Sequence, residues 1–518
     1  MIEGFFLSIN GEINIGRKCI TLCCENLANV PGVAFAATPK ETIDNFRELR
    51  DNIIAESKAF AVSGSQPAER KYTSVCNKCV NYLPDEWQSD GLIHYVNLSM
   101  YPAPCQCKCI YCYVNRTENA KDAADSYETL FALIEYAKEK NLIIPSAFWQ
   151  VSTGEITIHP FKKRIIDLVR GRKTIFYTNT FMFDTDIAEN MRVSPNSAIN
   201  LSIDSGIPQT WHKVKGVDNF GKVIDNLRNY FITCGRVGQI TLKYIILPGV
   251  NDSTEDYLSL ISIMKVLQVR YLDLARDTTV KYSQTAEQRG VLIQSSACFV
   301  ALLRDNDMSY GMFNFSTDER EDIENGANDL LKAWKEGDRF LLDGWRGLLF
   351  RDDAFFANDD FRLLVFLHEA ANTLTALFES RVSVAEKVSV VTEIFKHDNT
   401  KAIAAKTDLG ASVNQTARYI GLRNTLFSET ANWLIDAEEI PDEYAEDCYA
   451  VGAFICGTVN DEDRAVRFKK LLVEYLIETE RFDEADTILT EIEMLHAEDD
   501  EVLALREVLG GVLSGSPI

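Results

Sequence analysis

Pro104-Cys105-Gln106-Cys107-Lys108-Cys109-Ile110-Tyr111-Cys112-Tyr113 puts four cysteines within eight residues. Three of them, Cys105, Cys109 and Cys112, have the spacing C-x3-C-x2-C. Thiolates held this close on a loop share a metal or cluster, because otherwise they repel or oxidise. Three thiolates on a four-iron cluster leave one iron without a protein ligand. An open iron binds a small molecule, whereas a structural site is closed by four ligands. Zinc is the other reading of the spacing, with Cys107 as the fourth ligand.

The totals bound what surrounds this loop. A chain of 518 residues holds about three domains at ~150 residues each. The net charge of −24 argues against a nucleic-acid partner, since phosphate binding needs a basic footprint, and it disfavours anionic membranes. Nine of the 13 cysteines lie in the first 112 residues, a clustering that fits iron–sulfur or zinc better than a disulfide framework. The first residues, Met1-Ile2-Glu3-Gly4-Phe5-Phe6, lack the basic segment and long apolar run of a signal peptide. No stretch reaches the ~18 apolar residues of a membrane span. The expected location is cytoplasmic.

From about residue 90 to 306, short apolar runs alternate with helical patterns. Strands are expected at 93–99, 147–152, 174–178, 198–203, 239–247 and 271–275. Helices are expected near 125–140, 160–171, 184–192, 209–233, 254–268 and 284–305. This order implies a parallel sheet, and six βα units rather than eight imply an open α/β barrel, a partial (βα)6 TIM-like barrel. Chemistry belongs at the C-terminal ends of such strands, and the cysteine loop follows the first strand.

The other strand ends carry polar groups in order. Ser152-Thr153-Gly154-Glu155 follows the second strand, with His159-Pro160 shortly after. Tyr177-Thr178-Asn179-Thr180 follows the third, and Leu201-Ser202-Ile203-Asp204 the fourth. The fifth reads Lys243-Tyr244-Ile245-Ile246-Leu247-Pro248-Gly249-Val250-Asn251-Asp252. Alternation puts Ser202 and Asp204 on one face and turns Lys243 inward. Taken together, the cysteine loop and these ends over residues 93–276 resemble the radical S-adenosylmethionine (radical SAM) superfamily. That family favours an aromatic where Tyr111 stands, has G-G-E where Gly154 and Glu155 stand, and often uses an asparagine where Asn179 stands. The resemblance implies that a 4Fe–4S cluster on Cys105, Cys109 and Cys112 binds SAM. It implies that Glu155 accepts from the methionine ammonium, that Ser202 and Asp204 meet the ribose and carboxylate, and that Ile246 and Leu247 pack on adenine.

Residues 1–90 are expected to form a small cysteine-rich domain. Cys19 and Cys23-Cys24 precede a helical pattern capped by Thr38, and Cys76-Asn77-Lys78-Cys79 follows it. One four-cysteine site fits, using Cys19, Cys23 or Cys24, Cys76 and Cys79. The layout resembles the SPASM or twitch auxiliary-cluster modules of radical SAM enzymes, which imply a second 4Fe–4S cluster, although those modules usually follow the barrel. Two cysteine pairs are also the zinc-ribbon pattern.

Residues 307–518 are expected to be all-helical, with no chemistry motif. Seven of the twelve residues from Asp436 to Asp447 are acidic, which fits a solvated linker or face. Helical stripes at 465–512 are similar to tetratricopeptide repeats, and an ordinary helical bundle accounts for them equally.

The implied activity is reductive SAM cleavage to a 5′-deoxyadenosyl radical that abstracts hydrogen from a substrate, with electrons from a flavodoxin or ferredoxin. The auxiliary module points to a peptide or protein substrate first, and to a small molecule such as a sugar second. The competing reading is a non-catalytic iron–sulfur or zinc scaffold with a partner-binding tail. Such a scaffold has no use for Gly154, Glu155, Ser202 and Asp204 together.

Overall fold

The fold is taken from a computed structural model. It describes residues 6–11, 19–21, 32–63, 92–100, 104–112, 123–152, 154–234, 238–280, 284–338, 349, 358–408, 413–437 and 440–514. The chain divides into two compact units. The first spans Met1–Leu330 with residues 355–357, and the second spans Leu331–Ala354 and Asn358–Ile518.

The first unit begins with three short strands, β1 (Phe6–Gly11), β2 (Cys19–Thr21) and β3 (Gly32–Ala34), then helix α1 (Pro39–Ser63). Thr38 starts α1 as expected, its hydroxyl accepting from Glu41 N at 3.2 Å. The barrel elements follow: β4 (Ile93–Met100), α2 (Ala123–Glu139), β5 (Ile143–Ser152), α3 (Lys162–Val169), β6 (Thr174–Tyr177), α4 (Thr185–Val193) and β7 (Ala198–Ser202). Next come α5 (Pro208–Lys215), α6 (Phe220–Cys234), β8 (Ile240–Ile246), α7 (Thr254–Val266), β9 (Tyr271–Arg276), α8 (Ala286–Asp305), β10 (Ser309–Phe313) and α9 (Thr317–Ala333).

The ten strands form one sheet in the order β10-β9-β8-β7-β6-β5-β4-β1-β2-β3. From β4 to β10 the seven neighbours run parallel and curl into a half-barrel. This corrects the expected (βα)6 count by one strand. The seventh, β10, is five residues long, sits at the sheet edge and is only partly buried, so its apolar signal is weak. It lies beyond residue 306, where the sequence reads as purely helical.

The N-terminal segment also joins this sheet. β1 pairs in parallel with β4 over six residues, from Phe6↔Tyr95 to Gly11↔Met100. Its backbone thus continues the barrel sheet. The side chain of Cys19, and Cys23, Cys24, Cys76 and Cys79 altogether, lie outside the described residues.

Helix α5 ends where the sequence suggests one helix from 209 to 233. Pro208 opens it, since proline's missing N–H is not needed in the first turn. Gly216 closes it in the left-handed region at φ +68°, which breaks the run before α6.

The strands face two ways. Leu242, Tyr244 and Ile246 of β8 turn outward to the helices, where Tyr244 packs edge-on against Tyr257 of α7 and Phe299 of α8. The Phe299 ring stacks on Tyr257 at 4.0 Å. Helix starts are capped: Ser253 Oγ accepts from Asp256 N at 3.1 Å, and Thr285 and Gln288 form a capping box for α8.

The described part of the second unit is helical from residue 358 on. It contains α10 (Asp359–Glu379), α11 (Val384–Lys396), α12 (Asp398–Ala405), α13 (Val413–Asp436), α14 (Asp442–Thr458), α15 (Glu462–Glu478), α16 (Phe482–His496) and α17 (Asp500–Leu513). Leu472, Val473 and Leu476 of α15, Ala485, Leu489 and Ile492 of α16, and Val502 and Leu509 of α17 share one buried core. No helix among the described residues is long and apolar enough to cross a membrane.

Candidate active site

The cysteine loop leaves the C-terminal end of β4 and is pinned from two sides. Lys108 N donates to Lys215 O at 2.8 Å and Ile110 N donates to Val214 O at 3.0 Å, both at the end of α5. On the other side Glu155 N donates to Pro104 O at 2.9 Å. Cys112 N donates to Cys109 O at 2.9 Å, closing a turn that keeps those two cysteines together.

Cys107 is buried between its neighbours, with its thiol within reach of both Cys105 and Cys109. These contacts lower the pKa of Cys105 and bring that of Cys109 down to about 6, where the Lys215 ammonium also helps. The pKa of Cys107 is correspondingly pushed up. Cys107 is thus a buried thiol that favours thiolates on either side of it.

Beneath the loop lies a group that the sequence did not bring together. The Tyr111 hydroxyl donates to Asp204 Oδ2 at 2.5 Å, and Lys215 Nζ donates to the Tyr111 hydroxyl at 2.8 Å and to Asp204 Oδ2. Asp204 Oδ1 accepts from Ile245 N at 2.7 Å, and Asp204 O accepts from Asn251 Nδ2 at 2.7 Å. Asp204 and Lys215 are both buried. Burial opposes a charged Lys215, but Asp204 and Cys109 outweigh it, so the pKa is raised and the ammonium persists. Burial and Asp204 hold the Tyr111 phenol up, so it stays a donor.

This arrangement corrects the expected partnership of Ser202 and Asp204. Asp204 lies past the end of β7 at φ +58°, which breaks the alternation and turns its carboxylate under the cysteine loop. Ser202 stays on the strand, in register with Lys243.

Glu155 is fully buried. Its Oε1 accepts from Thr157 N at 3.0 Å, Thr157 Oγ1 at 2.7 Å and Thr178 Oγ1 at 2.8 Å, while Oε2 accepts from Asn179 N at 2.6 Å. Burial raises its pKa despite these donors. Gly154 provides the turn before it at φ +63°. Asn179 faces the cysteine loop: its Nδ2 donates to Gln106 Oε1 at 2.9 Å and lies 3.6 Å from Cys105 Sγ.

Leu247 packs with Ile245, Ala275 and Val214 against Tyr111 and Val250. Ile246 does not join them, because strand alternation turns it outward with Tyr244. Of the expected pair, Leu247 thus lies on the Tyr111 side and Ile246 does not, while Ile245 does. His159 is buried with Nδ1 accepting from Phe161 N at 3.2 Å, a structural role.

The donor set fits a 4Fe–4S cluster. Two of its thiols are biased toward thiolate and a buried ammonium sits beneath them. Among the described residues no three metal-ligating side chains gather about one ion. A four-iron cluster does not need that, since each thiolate binds a different iron.

Residues 104–261 match the family model described as Radical SAM superfamily. The chain is similar to the GTP 3',8-cyclase of Microcystis aeruginosa, 25% identical over 195 residues that cover 35% of this chain and 56% of that one. It is also similar to the probable GTP 3',8-cyclase of Saccharolobus islandicus, 24% identical over 176 residues, or 33% of this chain and 54% of that one. The chain thus spans about half the length of the curated relatives it matches. Among solved structures, Streptococcus suis SuiB bound to precursor peptide SuiA aligns with a TM-score of 0.33 at 17% identity, over 43% of this chain and 49% of that one. A radical SAM methyltransferase from Sphaerobacter thermophilus aligns at 0.29 with 15% identity, over 40% of this chain and 62% of that one. Residues 104–261 thus carry a radical SAM domain, a domain of enzymes that use a 4Fe–4S cluster and SAM.

Proposed function

We propose that the chain is a radical SAM enzyme that abstracts hydrogen from an amide-bearing substrate, a peptide or protein in the first instance. When bound on Cys105, Cys109 and Cys112, the cluster supplies one electron to SAM, which gives methionine and a 5′-deoxyadenosyl radical. The observation that carries this reading is the cysteine loop at the end of β4, with Asn179 3.6 Å from Cys105 Sγ, inside the matched residues 104–261.

The other residues take roles that follow from their free valences. Oε2 of Glu155 has one internal donor, and a carboxylate oxygen accepts two. Glu155 can therefore take the SAM ammonium while holding the strand ends around Gly154 and Asn179. Ser202 reaches the ribose, and Ile245 and Leu247 line the adenine. Asp204, whose carboxylate is already engaged by Tyr111, Lys215 and Ile245 N, holds the loop. Cys19, Cys23 or Cys24, Cys76 and Cys79 would hold a second 4Fe–4S cluster, which would relay the returning electron or bind substrate. A flavodoxin or ferredoxin in the cytoplasm supplies the first electron.

A small-molecule substrate is the second reading, favoured by the relatives being GTP 3',8-cyclases. Against a nucleoside triphosphate stand the net charge of −24 and the inner strand face. Among the described residues, Lys243 is the cation at the inward positions of β4–β10, and Asp273 sits in register beside it.

The test is iron and sulfide content of anaerobically reconstituted protein, then 5′-deoxyadenosine release with SAM and dithionite. About eight irons with release are expected, and about four would make the N-terminal site zinc or empty. Glu155→Ala should keep the iron and weaken SAM binding. Zinc at both sites with no SAM binding would favour the scaffold and overturn the enzyme reading.

A further inference from the structure

We infer that Asn200, Lys243 and Asp273 form a substrate subsite on the inner face of β7–β9 for a neutral amide or lactam edge. Such an edge presents N–H donors beside a carbonyl acceptor. The inference rests on the radical SAM reading, which puts the substrate at this face, and it adds what the substrate must display.

The three residues occupy adjacent strands. Lys243 of β8 is in register with Ser202 of β7 and Asp273 of β9, and Asp273 with Gly311 of β10. Their chain neighbours Leu201, Leu242, Tyr244, Leu272 and Leu274 are fully buried toward the helices, so alternation turns the polar residues inward.

Their hydrogen bonding is incomplete. Asn200 Nδ2 donates to Asp273 Oδ2 at 2.9 Å. Asn200 Oδ1 is buried and has no partner among the described residues, and Asp273 Oδ1 has only the Tyr271 hydroxyl beside it. Tyr271 lies beside Asp273, and its hydroxyl would be 2.3 Å from a Cβ at position 311, so only glycine fits there. Lys243 lies within electrostatic reach of Asp204 and Asp273. Its ammonium makes no hydrogen bond or ion pair within the described residues.

Each buried polar atom left without a partner costs about 1–3 kcal/mol. The unpartnered Asn200 Oδ1 and the Lys243 ammonium, on neighbouring strands, are satisfied together by one ligand. The acceptor requires an N–H group and the ammonium requires an oxygen. Asp273 and Lys243 cancel in charge, so the ligand needs none. A primary carboxamide, as in a glutamine side chain of a peptide, has this pattern, and so does the lactam edge of guanine.

The experiment uses full-length reconstituted protein with SAM, and two probes, acetyl-Gln-Gln-amide and guanosine, read by saturation-transfer NMR. One probe should bind with a millimolar dissociation constant, which identifies the source of the amide edge. Lys243→Met and Asp273→Asn should each weaken that binding about tenfold, with SAM affinity within about twofold of the parent. Lys243 makes no hydrogen bond or ion pair among the described residues, so Lys243→Met carries the test if Asp273→Asn fails to fold. The inference is overturned if neither probe binds at about 10 mM, or if Lys243→Met leaves probe binding intact. It is also overturned if Lys243→Met weakens SAM instead, which would give the row to SAM. The enzyme reading is judged separately, by 5′-deoxyadenosine release from the parent protein.

Discussion

The Tyr111 hydroxyl donates to Asp204 Oδ2 at 2.5 Å, which ties an aromatic inside the cysteine loop to a residue just past the end of β7. Lys215 closes the group by donating to both. Removing one member of a buried ion pair leaves an uncompensated charge and costs about 3–5 kcal/mol. Lys215→Met should therefore lower the unfolding free energy by about that amount and reduce bound iron, while Lys215→Arg should restore much of both. Chemical unfolding and iron analysis of the three proteins check this. Unchanged stability in Lys215→Met would mean that the pair does not hold the loop.

Gly216 works from the opposite side of the same junction. It has φ +68°, and a Cβ there would lie 2.9 Å from both Cβ and O of Lys108. Gly216→Ala combines left-handed strain with a clash against the backbone of the cysteine loop, about 1–3 kcal/mol in all. The expected outcome is a stable barrel that loads less iron. Full loading, measured as iron per chain, would show that the loop adjusts freely.

The reach of the sequence is clearest around these residues. The thiol spacing, the βα alternation and the strand-end polar groups mark the barrel because each depends on near neighbours in the chain. Lys215 gives no such signal. It falls inside the single helix expected over 209–233, whereas the structure ends α5 at Lys215 with the αL turn at Gly216. Asp204 illustrates the same limit, since a single residue at φ +58° overrides the period of two that pairs it with Ser202. Ile246 fails for a simpler reason: in an apolar run, alternation has no polar residue to fix its phase, so Ile245 and Ile246 are indistinguishable until Tyr244 is seen against Tyr257 and Phe299. The edge strand β10 was missed because five half-exposed residues carry no period of their own.

A pH effect follows from His159. Its Nδ1 accepts from Phe161 N, which puts the neutral ring's proton on a buried Nε2, and burial holds its pKa down to about 4. The Tyr127 ring packs edge-on at 5.1 Å. Unfolded histidine titrates at about 6.5, so between that pH and about 4 the unfolded chain binds a proton that the folded chain refuses. This contribution to stability is complete above about pH 6.5 and is lost as pH falls toward 4. His159→Asn keeps an acceptor for Phe161 N without titrating, and it should flatten the slope in this window. Denaturant midpoints across the window decide the point, and parallel curves for the two proteins would refute it.

The helical unit offers a test away from the chemistry. Gly452 of α14 faces Phe468 of α15 so closely that a Cβ would lie 2.4 Å from Cδ1 and 2.6 Å from Cγ of the ring. Phe468 is almost wholly buried, so its ring has no free space to move into. Gly452→Ala should overpack this contact by about 1–3 kcal/mol, against the ~1 kcal/mol that alanine ordinarily gains over glycine in a helix. The net expectation is a lower melting transition for the helical unit, with iron content unchanged because the substitution lies outside the barrel unit. Calorimetry with iron analysis on the full chain reads both quantities. A raised melting transition would show that helix propensity outweighs the clash, and that α14 and α15 pack less tightly than the ring contact implies.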